Sequence, residues 1–156
     1  MYQRILVPVD GSATSNLALE SAIGMAKAFE GRLRLVHVLD EIAWMGGYDA
    51  YGGSTAGLYE SLRKWADEVL REGVATVRSA GIEADMMLFD APGQRLGETV
   101  ATAAQLWNAD LVVVGTHGRR GVHRLLMGSG AEQIIRLAPV PLLVVREAAK
   151  ASRQLS

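Results

Sequence analysis

The chain has 156 residues, of which 49% are hydrophobic and 21% charged, a balance typical of one folded domain. A net charge of −1 gives no general positive field for nucleic acid, and the lack of cysteine excludes disulfides and thiolate metal sites. No apolar stretch reaches the roughly 20 residues of a membrane span, and the first residues do not resemble a signal peptide. We therefore expect a cytoplasmic protein with one domain over residues 1–147, a polar tail over residues 148–156, and no nucleic-acid or membrane partner.

Short apolar runs alternate along the chain with segments whose apolar residues recur at helical spacing. The runs predict strands over residues 5–10, 32–39, 82–89, 111–114 and 140–145. The periodic segments predict helices over residues 14–29, 58–80, 96–107 and 131–138, the first of them ended by Gly31. A stretch from Trp44 to Gly53, rich in glycine and aromatic residues, is predicted to be a loop.

Five strands separated by four helices predict a doubly wound, Rossmann-like α/β fold: a mostly parallel five-stranded sheet with helices on both faces. Ligands of such sheets bind beyond the carboxyl ends of the strands, where the direction of winding switches. The candidate ligand loops follow the first and fourth strands. We expect these two strands to be neighbours at the switch point.

The segment from Gly115 to Gly130 carries most of the functional information. Glycines let a backbone approach a ligand closely, and successive free N–H groups form a concavity that binds anions such as phosphate. Gly128 and Ser129 precede the last helix, whose N-terminus favours negative charge. A simpler hypothesis also fits, in which these residues only shape the turn and cap the helix. The glycine pattern alone leaves both open.

The spacing in this loop is more specific. Gly115, two residues, Gly118, nine residues, Gly128 and Ser129 resemble the signature G-x2-G-x9-G-[S/T] of the ATP-binding branch of the universal stress protein family. Segments 5–12, 35–38, 109–115 and 138–146 are similar to the same family, so the resemblance covers nearly the whole chain. The loop after the second strand and the start of the following helix carry no matching motif.

The resemblance implies an ATP site, with Mg²⁺ held mainly by the phosphates. Asp10 would approach the adenine side, and Val38 would meet adenine through its backbone. Gly115 would lie near the ribose, and Gly118, Gly128 and the residues after it would line the triphosphate. The resulting nucleotide-binding set has eleven members and includes no catalytic or metal-ligating residue. They are Pro8, Val9, Asp10, Val38, Gly115, Thr116, Gly118, Arg119, Gly128, Ser129 and Gly130.

For several other residues, two interpretations stay open. Arg119 and its neighbours could contact phosphate oxygens, or could form a solvated charged loop. His117 could act as an acid, base or phosphate partner, but no histidine spacing resembles a metal cluster. The aromatic residues between Trp44 and Gly53 could cover adenine, or could form a loop that becomes ordered on dimerisation. Trp65 and Trp107 are predicted to be core residues.

Three classes of function fit the sequence to different degrees. The leading hypothesis is a nucleotide-dependent regulatory or stress-response protein, in which ATP binding is itself the function. An ATP-using enzyme, such as a slow hydrolase, is less well supported, because no G-x4-G-K-[S/T] segment and no recognisable set of acid, base and nucleophile is present. A scaffold or chaperone-like protein without nucleotide would be marked by loss of the loop glycines, and these are intact.

The last strand predicts a homodimer. Residues 140–145 would form an exposed apolar edge of the sheet, and such an edge invites pairing with another chain. The family resemblance implies that two such strands pair across a twofold axis. Val140, Leu142 and Val144 would then lie on one face of the strand, and Leu143 and Val145 on the other.

Overall fold

The computed structural model of the chain describes residues 1–39, 55–90, 93–116 and 129–148. Within these ranges, strands and helices alternate from the first element to the last. The strands are β1 (Arg4–Pro8), β2 (Arg32–Leu39), β3 (Ala84–Asp90), β4 (Leu111–Gly115) and β5 (Leu142–Val145). The helices are α1 (Ala13–Phe29), α2 (Thr55–Ser79), α3 (Leu96–Leu106) and α4 (Ser129–Leu137).

The sheet has the strand order β3-β2-β1-β4-β5, and all four pairings are parallel. The winding direction reverses between β1 and β4, which pair directly. The predicted fold class is therefore confirmed, and so is the prediction that the first and fourth strands are neighbours. Asp110 fixes this pairing at the amino ends of the strands, because its carboxylate accepts the N–H groups of Gln3 and Arg4 at 2.9 and 3.0 Å.

Side chains alternate between the two faces of the sheet, and each face has its own core. On one face, Ile5, Val7 and Leu35 are fully buried beneath α1 and α2. On the other face, Leu6 and Val36 are fully buried beneath α3 and α4. Because β1 and β4 are buried on both sides, they consist of nearly continuous apolar residues, as strands of parallel sheets do.

Two strands begin later than the sequence predicts. The prediction started β3 at Ile82, but the Ile82 N–H donates to the Val77 carbonyl at 3.4 Å and so belongs to the end of α2. The prediction started β5 at Val140, but the strand begins at Leu142. Pro141 has no N–H to donate and contributes only its carbonyl, which accepts from Val112 at 3.0 Å.

The two predicted core tryptophans differ in their burial. Trp107 is 5% exposed, as predicted. Trp65 is only half-buried, because its ring lies at the carboxyl end of the sheet in edge contact with His37, with 5.5 Å between the ring centroids. The core assignment therefore holds for Trp107 but not for Trp65. Among the helices of the described ranges, none is both long and apolar enough to cross a membrane.

Candidate functional site

The buried polar side chains of the described residues are concentrated at the carboxyl end of the sheet. Five polar side chains are buried: Thr14, Ser15, His37, Thr99 and Thr116. They lie in the first turns of α1 and α3, near the end of β2 and directly after β4. Buried polar groups need partners, and here they organise the backbone turns at the switch point. This end of the sheet is therefore the candidate site.

The turn between β1 and α1 is fixed by hydrogen bonds among its own residues. The Asp10 N–H donates to Ser15 Oγ at 3.1 Å, and Asp10 Oδ1 accepts the Ser12 N–H at 2.9 Å. Ser12 is the N-cap of α1, and its Oγ accepts the Ser15 N–H at 3.2 Å. Gly11 between them has a positive φ of 76°, which favours glycine. The N-terminus of α1 is thus capped by its own serine.

Gly115 lies where β4 meets the first turn of α1. A Cβ atom at Gly115 would lie 2.7 Å from the Thr14 carbonyl oxygen and 3.1 Å from the Ser15 nitrogen, both of them backbone atoms. The absence of a side chain therefore lets α1 pack directly on the end of β4. Thr116 follows as a buried residue, and its N–H donates to the Val145 carbonyl at 2.9 Å.

His37 lies where the pairing of β1 with β2 ends. The Val9 N–H donates to the Val36 carbonyl at 2.8 Å, which is the last bond between these two strands. The Val9 carbonyl is 2.6 Å from His37 Nδ1, and because a carbonyl oxygen only accepts, Nδ1 carries the proton. The strand predicted over residues 32–39 includes His37, but the apolar pattern does not predict this contact. The feature that could have indicated the contact is the position of His37, a polar residue on the buried face of β2 just beyond the end of β1.

Val38 presents its backbone to the same place. Along a strand, the backbone groups of alternate residues face the same neighbour, so Val38 faces the β1 side as Val36 does. Since β1 ends at Pro8, the partner of Val36, the Val38 N–H and carbonyl face the space beyond β1. The structure therefore brings Pro8, Val9 and the Val38 backbone together.

The start of α4 completes this end of the sheet. Helices α3 and α4 pack closely, because a Cβ atom at Gly97 would lie only 2.7 Å from the backbone carbon of Gln133. The Gly97 N–H also donates to Gln133 Oε1 at 3.3 Å. Gly130 lies in the first turn of α4 against Leu96, and Ser129 is the first residue of the helix. The remaining predicted site residues, Gly118, Arg119 and Gly128, and the alternatives His117 and 44–53, lie outside the described residues.

An ion-pair cluster ties α2 to the end of β3 at the same end of the sheet. The Tyr59 hydroxyl donates to Asp90 Oδ2, and this hydrogen bond raises the pKa of Tyr59. Arg63 lies 3.7 Å from the same carboxylate oxygen. Elsewhere in the described ranges, as here, no three His, Cys, Asp or Glu residues group closely enough to hold a metal ion.

The fold and the polar switch point fit the family that the sequence resembles. The model of the universal stress protein family matches residues 1–146. The chain is a member of the universal stress protein family. Its relatives include a universal stress protein of Methanocaldococcus jannaschii, 32% identical over 151 residues, which cover 96% of this chain and 85% of the relative.

Solved structures of universal stress proteins have the same fold. A family member from Burkholderia pseudomallei is 29% identical, with a TM-score of 0.71, over 92% of this chain and 95% of that protein. A universal stress protein from Archaeoglobus fulgidus, solved in complex with dAMP, is 22% identical, with a TM-score of 0.65. Its alignment covers 92% of this chain and 98% of that protein.

Proposed function

We propose that this universal stress protein binds ATP at the carboxyl ends of β1 and β4 and acts as a nucleotide-dependent regulatory homodimer in the cytoplasm. The observation that carries the proposal is the backbone edge of Val38, which lies beyond the last bond of the β1–β2 pairing at the switch point of the sheet. The Archaeoglobus relative, with the same fold, was solved with an adenine nucleotide. The glycine spacing from Gly115 to Ser129 supplies the phosphate-binding half of the site.

The Val38 backbone is suited to reading adenine. One N–H donor and one carbonyl acceptor on the same strand edge match the ring acceptor and exocyclic amine donor of adenine. Asp10, held in the turn by Ser12 and Ser15, follows the end of β1. Pro8 and Val9 form the adjoining backbone, so the base would lie across the end of β1.

The phosphates are assigned to the start of α4 rather than to that of α1. Ser12 already caps α1 with its own hydroxyl, whereas the sequence Gly128-Ser129-Gly130 around the start of α4 would leave backbone N–H groups available to phosphate. Gly115 would lie near the ribose with Thr116 next to it, and Gly118 would line the phosphates, with Arg119 as a further phosphate donor. The bound Mg²⁺ would be held mainly by the phosphates.

The double variant Gly118→Val, Gly128→Val tests the phosphate loop. The wild-type protein should release ATP on denaturation, and Mg-ATP at about 100 times Kd should raise its free energy of unfolding by about 2.7 kcal/mol, or Tm by roughly 5–10 °C. The double variant should release no nucleotide and show no shift. The matched control is Gly24→Val, Gly57→Val, because a Cβ atom added at either position would meet nothing within 4 Å. The control should keep the nucleotide and the Tm shift; a wild type with neither would favour a scaffold that uses no nucleotide.

Binding without efficient turnover is part of this proposal, because the sequence supplies no Walker lysine. Incubation with Mg-ATP and chromatography of ADP and AMP should show at most slow hydrolysis. Steady multiple turnover would instead establish an ATP hydrolase.

The homodimer is proposed to form through β5, which is an edge strand. Val144 is 37% exposed on this strand, and a charge there should prevent close pairing of two copies. Val144→Glu is therefore expected to convert a dimer into a monomer in analytical ultracentrifugation. Leu106→Glu is the matched control, since Leu106 is 75% exposed at the end of α3, and this variant should stay dimeric. A monomeric wild type at high concentration would contradict the interface.

A further inference from the structure

We propose that His37 is a positioning residue, which holds the end of the β1–β2 pairing open so that the Val38 N–H faces the ligand. The ligand part of this inference rests on the proposed function, whereas the backbone part can be tested in the free protein.

A parallel pairing continues in a fixed pattern. After the Val9 N–H donates to Val36, the next bond would run from the Val38 N–H to the Val9 carbonyl. The backbone bonds among the described residues include the first of these but not the second. The Val9 carbonyl accepts from His37 Nδ1 instead, at 2.6 Å. A side chain has thus taken the place of the next bond in the pairing.

The histidine is held in this position by its surroundings. His37 is 9% exposed, and its ring is in edge contact with Trp65, with planes at 77°. Trp65 itself packs on the turn after β1, because its Cζ2 lies 3.2 Å from where a Cβ atom of Gly11 would be. The imidazole therefore cannot leave the Val9 carbonyl without disturbing both α2 and the β1–α1 turn.

His37 thereby keeps the Val38 N–H available as a hydrogen-bond donor to a base. If the Val9 carbonyl lacked its imidazole partner, it would compete for the Val38 N–H, and a ligand would have to displace that bond. The Val38 N–H fits adenine, whose ring nitrogen N1 accepts, and not hypoxanthine, whose N1 carries a proton. His37 therefore acts on affinity for ATP more than on affinity for ITP.

The first measurement is amide hydrogen exchange of the free protein by NMR. In the wild type, the Val38 amide should exchange much faster than that of Val36, which is bonded to β1. In His37→Leu, the Val38 amide should become about fivefold to tenfold slower to exchange, as expected for one hydrogen bond gained. His37→Asn is the matched control, because the asparagine amide nitrogen replaces Nδ1. The Val38 amide should still exchange fast in this variant. Slow exchange of Val38 in the wild type would overturn the inference, and this comparison needs no variant to fold.

The second measurement is the affinity of each protein for Mg-ATP and Mg-ITP by calorimetry. His37→Leu should lower the affinity for ATP about fivefold to tenfold and the affinity for ITP by less than about twofold. His37→Asn should leave both affinities unchanged. Equal weakening of both nucleotides would show a general packing role and contradict positioning. If the wild type binds no nucleotide, the proposed function fails, while the exchange result still decides the role of His37.

Discussion

Gly115→Ala is expected to lower the free energy of unfolding by about 2–3 kcal/mol in the absence of any nucleotide. The added methyl group would lie 2.7 and 2.8 Å from the carbonyl oxygen and carbon of Thr14. These are backbone atoms in the first turn of α1, so the contact can be relieved only by moving the helix away from β4. Thermal unfolding should show a Tm lower by roughly 5–10 °C.

Gly24→Ala is the matched control for this prediction. Gly24 lies inside α1, and a Cβ atom there would meet nothing within 4 Å. Alanine is the better helix former by about 1 kcal/mol, so this variant should be slightly more stable than the wild type. If Gly115→Ala were as stable as Gly24→Ala, the close approach of α1 to β4 would not exist as described.

The result also separates two roles of one residue. The family resemblance gives Gly115 a place near the ribose, while the structure gives it a packing role against Thr14. A stability loss in the free protein measures the packing role alone. A loss of ATP affinity beyond that expected from a shifted α1 would then measure the contact with the ligand.

The order of elements and the fold class could be predicted because they depend on regular patterns. Buried parallel strands are continuous apolar runs. The helices that connect them cross over the sheet in a right-handed sense, which places them on its two faces. The position of β5 at the edge followed in the same way. The bounds of β5 were less predictable, because Pro141 removes a donor where the apolar run continues.

The reasons behind individual glycines could not be predicted. The sequence indicated Gly31 as the residue that ends α1, but the left-handed residue there is Glu30, with φ 53°. Glycine fits at position 31 because a Cβ atom there would lie 2.7 Å from the Tyr2 carbonyl oxygen. Such close approaches join segments distant in sequence, so no local sequence pattern predicts them. The contact of His37 with Val9 is of the same kind, since it spans 28 positions.

Leu35→Ala is expected to lower the free energy of unfolding by about 3–5 kcal/mol, near the upper end for a buried leucine. Leu35 is fully buried in the core beneath α1 and α2. Its Cδ1 atom fills the space left by Gly73 of α2, because a Cβ atom at Gly73 would lie only 2.6 Å from it. With no side chain at Gly73 to collapse inward, truncation leaves a cavity. Leu106→Ala, at a position 75% exposed, should change the stability by less than about 0.5 kcal/mol.

The pair Leu35 and Gly73 should therefore be strongly coupled in a double-mutant cycle measured by urea unfolding. Gly73→Ala alone should cost about 1–2 kcal/mol, because overpacking against Leu35 exceeds the gain in helix propensity. In Leu35→Ala, the same change meets empty space, so it should fill part of the cavity and stabilise the protein. The two changes together should cost about 1–3 kcal/mol less than the sum of the single changes. Additive effects would mean that α2 does not pack on β2 through this contact, and the placement of Trp65 of α2 beside His37 would have to be revised with it.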